Sequence, residues 1–197
     1  MLGRDLVRHL KHKGYDVTAP SSSVFNLLKP VDELQQFVEQ YEPDIIIHSA
    51  AYTDVDGAEK DPELALSINK DGTRKMAVIA KALDCILGYV STDFVFDGEK
   101  GSPYIPGDKE NPISSYGMSK YYGELMIKEL LDSYYIMRTS WLYGLHGKNF
   151  VQFIIESSQQ GRPLNIVDDW HGSPTWTGSL SHMIEHVVTS GAFGTYH

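Results

Sequence analysis

The pattern of hydrophobic and polar positions switches along the chain between short apolar runs and stripes of apolar residues three or four apart. Runs at residues 44–50, 86–91 and 134–138 predict buried strands, because they are short and rich in β-branched or aromatic side chains. A helical stripe follows Pro30 and ends before Pro43, and another precedes the second strand. The stripes consist of Val31, Leu34, Phe37, Val38 and Tyr41, and of Met76, Ile79, Ala80 and Leu83. This alternation predicts an α/β fold with a Rossmann-like, doubly wound parallel sheet.

Two short stretches carry candidate chemistry. Ser91, Thr92 and Asp93 follow the second predicted strand, at the edge where open α/β sheets place ligands. Tyr116 and Lys120 are four residues apart, so on a helix they project from one face. An ammonium beside a phenol is expected to lower the phenol pKa from its usual value of about 10. Together, a threonine hydroxyl, a phenol and an ammonium are suited to neutralising the charge that builds on a carbonyl oxygen during hydride transfer.

Five blocks in order give the chain its resemblance to a known family. They are residues 45–59, 90–98, 116–120, 138–144 and 172–175. These blocks resemble the extended short-chain dehydrogenase/reductases, and within them the dTDP-4-dehydrorhamnose reductases. The resemblance implies reduction of the 4-keto group of a dTDP-linked 4-keto-6-deoxyhexose by NADPH or NADH. It also implies that Thr92, Tyr116 and Lys120 form the catalytic triad, and a homodimer is a further expectation.

The resemblance assigns binding roles to further residues. The expected cofactor-binding residues are Gly3, Asn26, Ser49, Ala50, Ala51, Tyr52, Tyr116 and Lys120. The expected substrate-binding residues are Asp93, Phe94, Trp141, Asn149, Pro174 and Thr175.

Several of these assignments have a plain structural alternative. The two alanines could serve strand–helix packing, and Trp141 could lie in the core. Asn26, placed after a second predicted strand that ends before Phe25, could be a helix cap or turn residue, and Asn149 could cap a helix. The run of residues 172–175 could be only a turn.

The beginning and end of the chain set the expected domain boundaries. Residues 1–6 match the end of a glycine-rich turn and the start of a helix, with Gly3 as the last glycine of the fingerprint. The preceding strand and two glycines are absent, and residues 194–197 resemble the start of another strand. We therefore expect an internal fragment of a longer enzyme. Residues 1–143 would be an incomplete NAD(P)-binding domain and residues 144–197 part of a substrate-binding domain.

Composition narrows the classes of partner. The formal net charge of −9 over 197 residues disfavours nucleic acid and anionic membranes, since both attract clustered Lys and Arg. The single cysteine, Cys85, excludes an internal disulfide, and no signal-like start or run of eighteen apolar residues occurs. These features lead us to expect a cytoplasmic protein with no membrane partner.

Other functions have to be weighed against a reductase. A sugar-nucleotide epimerase or dehydratase could use Asp93 as its acid or base, and a regulatory subunit could keep the nucleotide pocket without turnover. The blocks at residues 138–144 and 172–175 favour the reductase, and the retained triad disfavours the regulatory subunit.

A zinc peptidase is a third alternative. His182, Glu185 and His186 fit the pattern H-x-x-E-H, which places two imidazoles on one helical face for zinc. No third ligand can be identified in the sequence, and the segment is typical of an amphipathic helix with Met183, Ile184, Val187 and Val188 packed inward. We therefore expect no metal site.

Overall fold

Four parallel strands form the central sheet of the computed structural model, which describes all 197 residues. The strands are β1 (Ile45–His48), β2 (Ile86–Thr92), β3 (Tyr134–Thr139) and β6 (Gly194–Tyr196), and they lie in the order β1-β2-β3-β6. Ile45 is opposite Ile86, and Thr92 is opposite Thr139. The carboxyl ends of β2 and β3 therefore meet at one edge of the sheet.

The helices connect these strands and cover both faces of the sheet. They are α1 (Leu2–His12), α2 (Val31–Glu39), α3 (Val55–Lys60), α4 (Pro62–Leu66), α5 (Gly72–Ala82), α6 (Ser115–Leu130), α7 (Phe150–Gln159) and α8 (Thr177–Val188). A π-helical turn, Ser67–Asp71, joins α4 to α5, and a 3₁₀ turn, Asp93–Val95, follows β2. Two short strands, β4 (Leu142–Tyr143) and β5 (Thr175–Trp176), pair in a separate parallel sheet.

Alternation along the strands divides the core into two clusters. Successive strand residues point to opposite faces, so Ile136 of β3 faces one cluster while Tyr135 and Met137 face the other. One cluster includes residues of α2, α5 and α6, and the other includes residues of α1 and α8. This arrangement confirms the α/β, Rossmann-like fold class predicted from the hydrophobic pattern.

Three expectations about individual elements need correction. The first predicted strand is shorter, Ile45–His48 rather than residues 44–50. No strand precedes Phe25, because residues 15–20 have no hydrogen-bonded neighbour in the sheet, and a strand requires one. Met183 points outward from α8 with 55% of its surface exposed, although Ile184, Val187 and Val188 are buried as expected.

No helix of this fold combines the length and the apolar character that crossing a membrane requires.

Candidate active site

Thr92 occupies the last position of β2, at the carboxyl edge of the sheet. It is buried, with 5% of its surface exposed. Its Oγ1 donates to Asp93 Oδ1 at 3.1 Å and accepts from the Phe94 backbone N–H at 3.2 Å. These two bonds fix the rotamer of Thr92 and the direction of its hydroxyl.

The first turn of α6 packs tightly against the segment that follows β2. Ser114 caps the helix by accepting from the Gly117 N–H at 3.0 Å. A Cβ at position 117 would overlap the Phe94 carbonyl oxygen, so only glycine allows this approach. The Tyr116 ring meets the Phe94 ring edge-on, with centroids 5.6 Å apart. Close packing at Gly117 thereby places Tyr116 beside the end of β2.

Tyr116 is buried, and the neighbouring Thr92 and Asp93 both act on its pKa. Burial raises the pKa of Tyr116 to about 12, the Thr92 hydroxyl partly offsets this by hydrogen bonding, and the Asp93 carboxylate raises it further. The expectation that Lys120 lowers this pKa is therefore wrong for this structure. Tyr116 is a protonated phenol at neutral pH, which suits a proton donor.

Lys120 is buried one turn further along α6. Its Nζ donates to the Val90 carbonyl oxygen at 2.8 Å and lies 4.1 Å from the centre of the Tyr89 ring. Burial lowers the pKa of Lys120 to about 7, and the nearby Glu124 carboxylate opposes that shift. The ammonium group thus turns toward β2 rather than toward the phenol, which explains why it does not lower the pKa of Tyr116.

A buried ion pair that was not predicted from the sequence supports this region. Glu124 is fully buried and accepts from the Ser91 hydroxyl at 2.6 Å and from Arg138 Nε at 2.9 Å. Burial acts to lower the pKa of Arg138, but hydrogen bonds to Glu124 and then Glu110 raise it overall. Glu124 lies four residues after Lys120, and this helical spacing was the only signal available in the sequence.

The expected cofactor residues after β1 lie near the start of α1. A Cβ at Gly3 would stand 3.7 Å from the Ser49 Oγ, so the first turn of α1 approaches the end of β1. Ala50 is exposed, and Ala51 and Tyr52 are half-buried. The structure thus brings together the two ends that a βα nucleotide site uses, a strand end and a helix start.

Asn69, which was also not predicted from the sequence, holds the loop after β1 in place. Its side chain is buried, accepts from the Tyr52 N–H at 2.8 Å, and donates to the Tyr52 carbonyl oxygen and to Ser119 Oγ, each at 2.9 Å. It lies in the π-helical turn, a feature that is frequent at functional sites. Nothing in the local sequence pattern predicts that turn.

Asn26 lies on the surface, apart from this group. Its Oδ1 accepts from the Leu28 N–H at 3.0 Å, which is an Asx turn. The structure therefore gives Asn26 the turn role that was its alternative interpretation, and cofactor contact stays a prediction.

The expected substrate residues form two groups. Asp93 and Phe94 lie beside Thr92 and Tyr116, as described above. Trp141 follows β3 with a φ of 47°, a left-handed conformation that is strained for a bulky residue. Its carbonyl accepts from the Thr175 N–H at 3.2 Å. Its indole packs over Gly172, where a Cβ would come within 2.7 Å of the ring.

Pro174 and Asn149 have different settings. Pro174 is exposed beside Thr175, in the segment that leads into β5. Asn149 caps α7, because its Oδ1 accepts from the Gln152 N–H at 3.0 Å, and its Nδ2 donates to the Gly144 carbonyl oxygen at 2.9 Å. The side chain of Asn149 is thus used by local structure, so its contact with substrate stays a prediction.

The residues present fit a nicotinamide cofactor. The Lys120 ammonium has three N–H donors, and only one of them has an oxygen partner, the Val90 carbonyl. A buried ammonium with unused donors suits the vicinal hydroxyls of a ribose. The start of α1 beside β1 offers backbone N–H groups of the kind that bind a pyrophosphate.

Comparison with known proteins places these features in a family. The family model described as the RmlD substrate binding domain matches residues 1–197. A dTDP-4-dehydrorhamnose reductase from Streptomyces griseus is 36% identical over 196 residues, which are 99% of this chain and 64% of that protein. A dTDP-4-keto-6-deoxy-D-glucose reductase from Streptomyces niveus is 36% identical over 198 residues, covering 100% of this chain and 68% of that protein.

A solved structure agrees over the whole chain. The crystal structure of dTDP-4-dehydrorhamnose reductase from Bacillus anthracis in complex with NADP has a TM-score of 0.96 and 40% identity, and the match covers 100% of this chain and 69% of that one. The chain thus spans about two thirds of the length of these relatives. With a family model that matches every residue, the chain belongs to the RmlD substrate binding domain family.

Proposed function

We propose that the protein reduces the 4-keto group of dTDP-4-dehydro-L-rhamnose to give dTDP-L-rhamnose, with NADPH or NADH as the hydride donor. The observation that carries the proposal is the position of Thr92 at the carboxyl end of β2 and of Tyr116 in the first turn of α6, packed on Phe94, with the buried Lys120 on the next turn of the same helix. Names of relatives support the substrate: the Streptomyces griseus protein is a dTDP-4-dehydrorhamnose reductase.

Tyr116 would supply the proton. The bound nicotinamide supplies a hydride, which makes the new C–H bond at C4 of the sugar while the C=O π electrons move onto oxygen. The phenol O–H then breaks, and its proton forms the new hydroxyl. The high pKa of Tyr116 keeps the phenol protonated before the step and makes the phenolate a strong base afterwards, so it must be reprotonated from solvent for the next turnover.

Thr92 and Lys120 would assist in different ways. The Thr92 hydroxyl now donates to Asp93, and a rotation of the hydroxyl about its Cβ–Oγ1 bond would redirect that proton to the developing oxyanion. Lys120 would hold the cofactor ribose through its unused donors. Its pKa of about 7 allows it to exist in either charge state near neutrality.

The remaining binding roles are proposals of the same kind. Gly3, Ser49, Ala50, Ala51 and Tyr52 would line the cofactor site. Residues 1–143 would form the NAD(P)-binding domain and residues 144–197 part of the substrate-binding domain. Trp141 and Thr175, which share a hydrogen bond, would bring the second segment to the sugar together with Pro174, while Asp93 and Phe94 would contact it from β2.

Two properties beyond the reaction are also proposed. The single cysteine supports a reducing compartment, the cytoplasm, which cell fractionation with an antibody would test. A homodimer is the second, and sedimentation of the purified protein would test it.

The test is cofactor oxidation by the purified protein supplied with dTDP-4-dehydro-L-rhamnose, followed by loss of nicotinamide absorbance and by product analysis. Binding of NADPH and of NADH is titrated separately, so that failure to bind is distinguished from failure of chemistry. Oxidation that depends on the keto sugar supports the proposal. Tight binding of both cofactor and keto sugar without any oxidation would exclude it.

A second sugar belongs in the same assay. Since the Streptomyces niveus relative is equally similar and is named for a 4-keto-6-deoxy-D-glucose, the D-configured substrate is a specific alternative. The ratio of kcat/KM for the two sugars decides between them. Conversion of either sugar without net cofactor oxidation would indicate an epimerase or dehydratase instead.

A further inference from the structure

Two histidines and a glutamate meet between α1 and α8, outside the proposed active site. His9 lies on α1, and His182 and Glu185 lie on α8. Their nearest ligand atoms all lie within 4.8 Å of one another. His9 Nε2 is 2.6 Å from Glu185 Oε2, and the two imidazole centroids are 4.0 Å apart. Three metal-ligating side chains from two helices thus share one position.

Packing between the helices builds this cluster. The buried Thr177 hydroxyl, at the start of α8, donates to Asp5 Oδ2 on α1. His9 lies about one turn beyond Asp5 on α1. On α8, His182 lies between one and two turns beyond Thr177, and Glu185 lies just over two turns beyond it. His182 and Glu185 are three residues apart and share a helical face, and His9 projects from the neighbouring helix onto that face.

The donor set suits zinc. Imidazole nitrogen and carboxylate oxygen bind zinc at about 2.0–2.2 Å in a tetrahedron, which places donor atoms roughly 3.3 Å apart. The separations in the cluster, from 2.6 Å between His9 and Glu185 up to 4.8 Å, lie on either side of that value. The His9 and Glu185 side chains are 9% and 17% exposed, while His182 faces solvent, which leaves an open side for a water ligand. Lys13, 4.0 Å from the glutamate, is 47% exposed and free to turn away.

We propose that His9, His182 and Glu185 form a zinc-binding site that ties α1 to α8. This revises the expectation that the chain has no metal site and no third ligand, because the third ligand comes from α1, 173 positions away in the sequence from His182. It also differs from the H-x-x-E-H arrangement, since His186 lies outside the cluster and Glu185 is a ligand rather than a base.

The experiment is a calorimetric titration of the chelator-treated protein with zinc chloride, paired with thermal melts with and without zinc. We expect one zinc ion per chain. We also expect a melting temperature raised by roughly 5–10 °C when zinc is present at about 100 times its dissociation constant. Magnesium, which prefers an octahedral oxygen cage, should have no effect.

His182→Ala is the deciding variant, because this side chain is exposed and makes no hydrogen bond in the structure, so its loss should not unfold the protein. Removing a residue that only hydrogen-bonds to a metal ligand already weakens metal affinity roughly 10–100-fold. We therefore expect at least about a hundredfold loss for this variant, and for His9→Ala as well. The matched control is His186→Ala, exposed on the same helix, with unchanged affinity.

The proposal is overturned if His182→Ala binds zinc as tightly as the wild type, or if the wild type takes up no zinc. It is also overturned if His186→Ala weakens binding as much as His182→Ala while His9→Ala does not, since the site would then lie on α8 alone. Because binding and melting are the readouts, the result is independent of whether the protein reduces a sugar.

Discussion

The Lys120 ammonium donates a hydrogen bond of 2.8 Å to the Val90 carbonyl oxygen, and this bond ties the second turn of α6 to β2 two residues before Thr92. Helical spacing puts Lys120 on the same face as Tyr116, but the bond directs the ammonium into the sheet. The same residue is therefore both a proposed cofactor contact and a link that holds α6 against the strand carrying Thr92.

Replacing Lys120 by methionine should change how stability depends on pH. Burial lowers the pKa of Lys120 to about 7, so between pH 7 and about pH 10 the folded state holds fewer protons on this group than the unfolded state. Its contribution to stability therefore rises with pH in that window, and the penalty for burying the charge is complete below pH 7.

The wild type should lose stability as pH falls from 10 to 7, because the buried amine must then take up a proton, whereas Lys120→Met has no such group. The free energy of unfolding of Lys120→Met minus that of the wild type should therefore increase by on the order of a few kcal/mol over this range. Urea unfolding of both proteins at the two pH values measures it. Lys81→Met, an exposed lysine on α5, is the control and should show no such change. If the free energies of unfolding of Lys120→Met and the wild type differ by the same amount at both pH values, the lowered pKa of Lys120 is contradicted.

Removing the phenol hydroxyl should stop turnover without weakening binding. Tyr116→Phe keeps the ring packed on Phe94 but removes the proposed proton donor, so kcat should fall by roughly 10²–10⁴-fold. The dissociation constants for cofactor and dTDP sugar should stay within about threefold of the wild type, because one exchanged hydrogen bond contributes little net free energy.

Tyr122→Phe, on an exposed part of the same helix, is the matched control for the loss of a phenol. Steady-state kinetics of the two variants make the comparison. Wild-type activity in Tyr116→Phe would rule out the assigned role.

The buried ion pair of Glu124 and Arg138 should carry much of the local stability. Their side chains are 0% and 2% exposed. Glu124→Gln leaves the guanidinium without its main counter-charge, and breaking a buried pair from one side costs roughly 3–5 kcal/mol. Chemical denaturation measures this change.

The control for that experiment is Glu33→Gln, which breaks the exposed Lys29–Glu33 pair, whose side chains are 48% and 56% exposed. It should cost less than about 1 kcal/mol. Equal losses in the two variants would show that burial does not set the strength of the Glu124 pair.

A single methyl group at Gly117 should displace α6, the helix that carries Tyr116 and Lys120. Gly117→Ala forces a Cβ onto the Phe94 carbonyl oxygen, which is backbone and cannot move aside cheaply. We expect a loss of roughly 1–3 kcal/mol in unfolding free energy and at least about a hundredfold drop in kcat, since a shift of about 1 Å is enough.

Gly107→Ala is the matched substitution, because a Cβ there meets nothing within 4 Å. Its stability should change by no more than about 0.5 kcal/mol and its activity should not change. A stable, active Gly117→Ala protein would mean that α6 tolerates a wider gap to the end of β2.

Much of the fold was predictable because its signals are local. The short apolar runs gave β2 and β3 to within one residue, since a strand buried on both faces needs a continuous hydrophobic stretch. The strand predicted before Phe25 was wrong, because strand formation depends on a pairing partner, which the local sequence pattern does not reveal. The prediction that Met183 packs inward was wrong for a similar reason, since only packing decides which edge of an apolar stripe faces solvent.

By itself the sequence determined which residues could do chemistry, since the four-residue spacing of Tyr116 and Lys120 and the position of Thr92 after a buried run are properties of neighbours in the chain. The tertiary structure decided how those groups behave. Burial raised the pKa of Tyr116 and lowered that of Lys120, contrary to what the spacing alone suggested. It also paired Glu124 with Arg138 and brought His9 to Glu185, contacts between distant residues that exist only because helices pack on a common sheet.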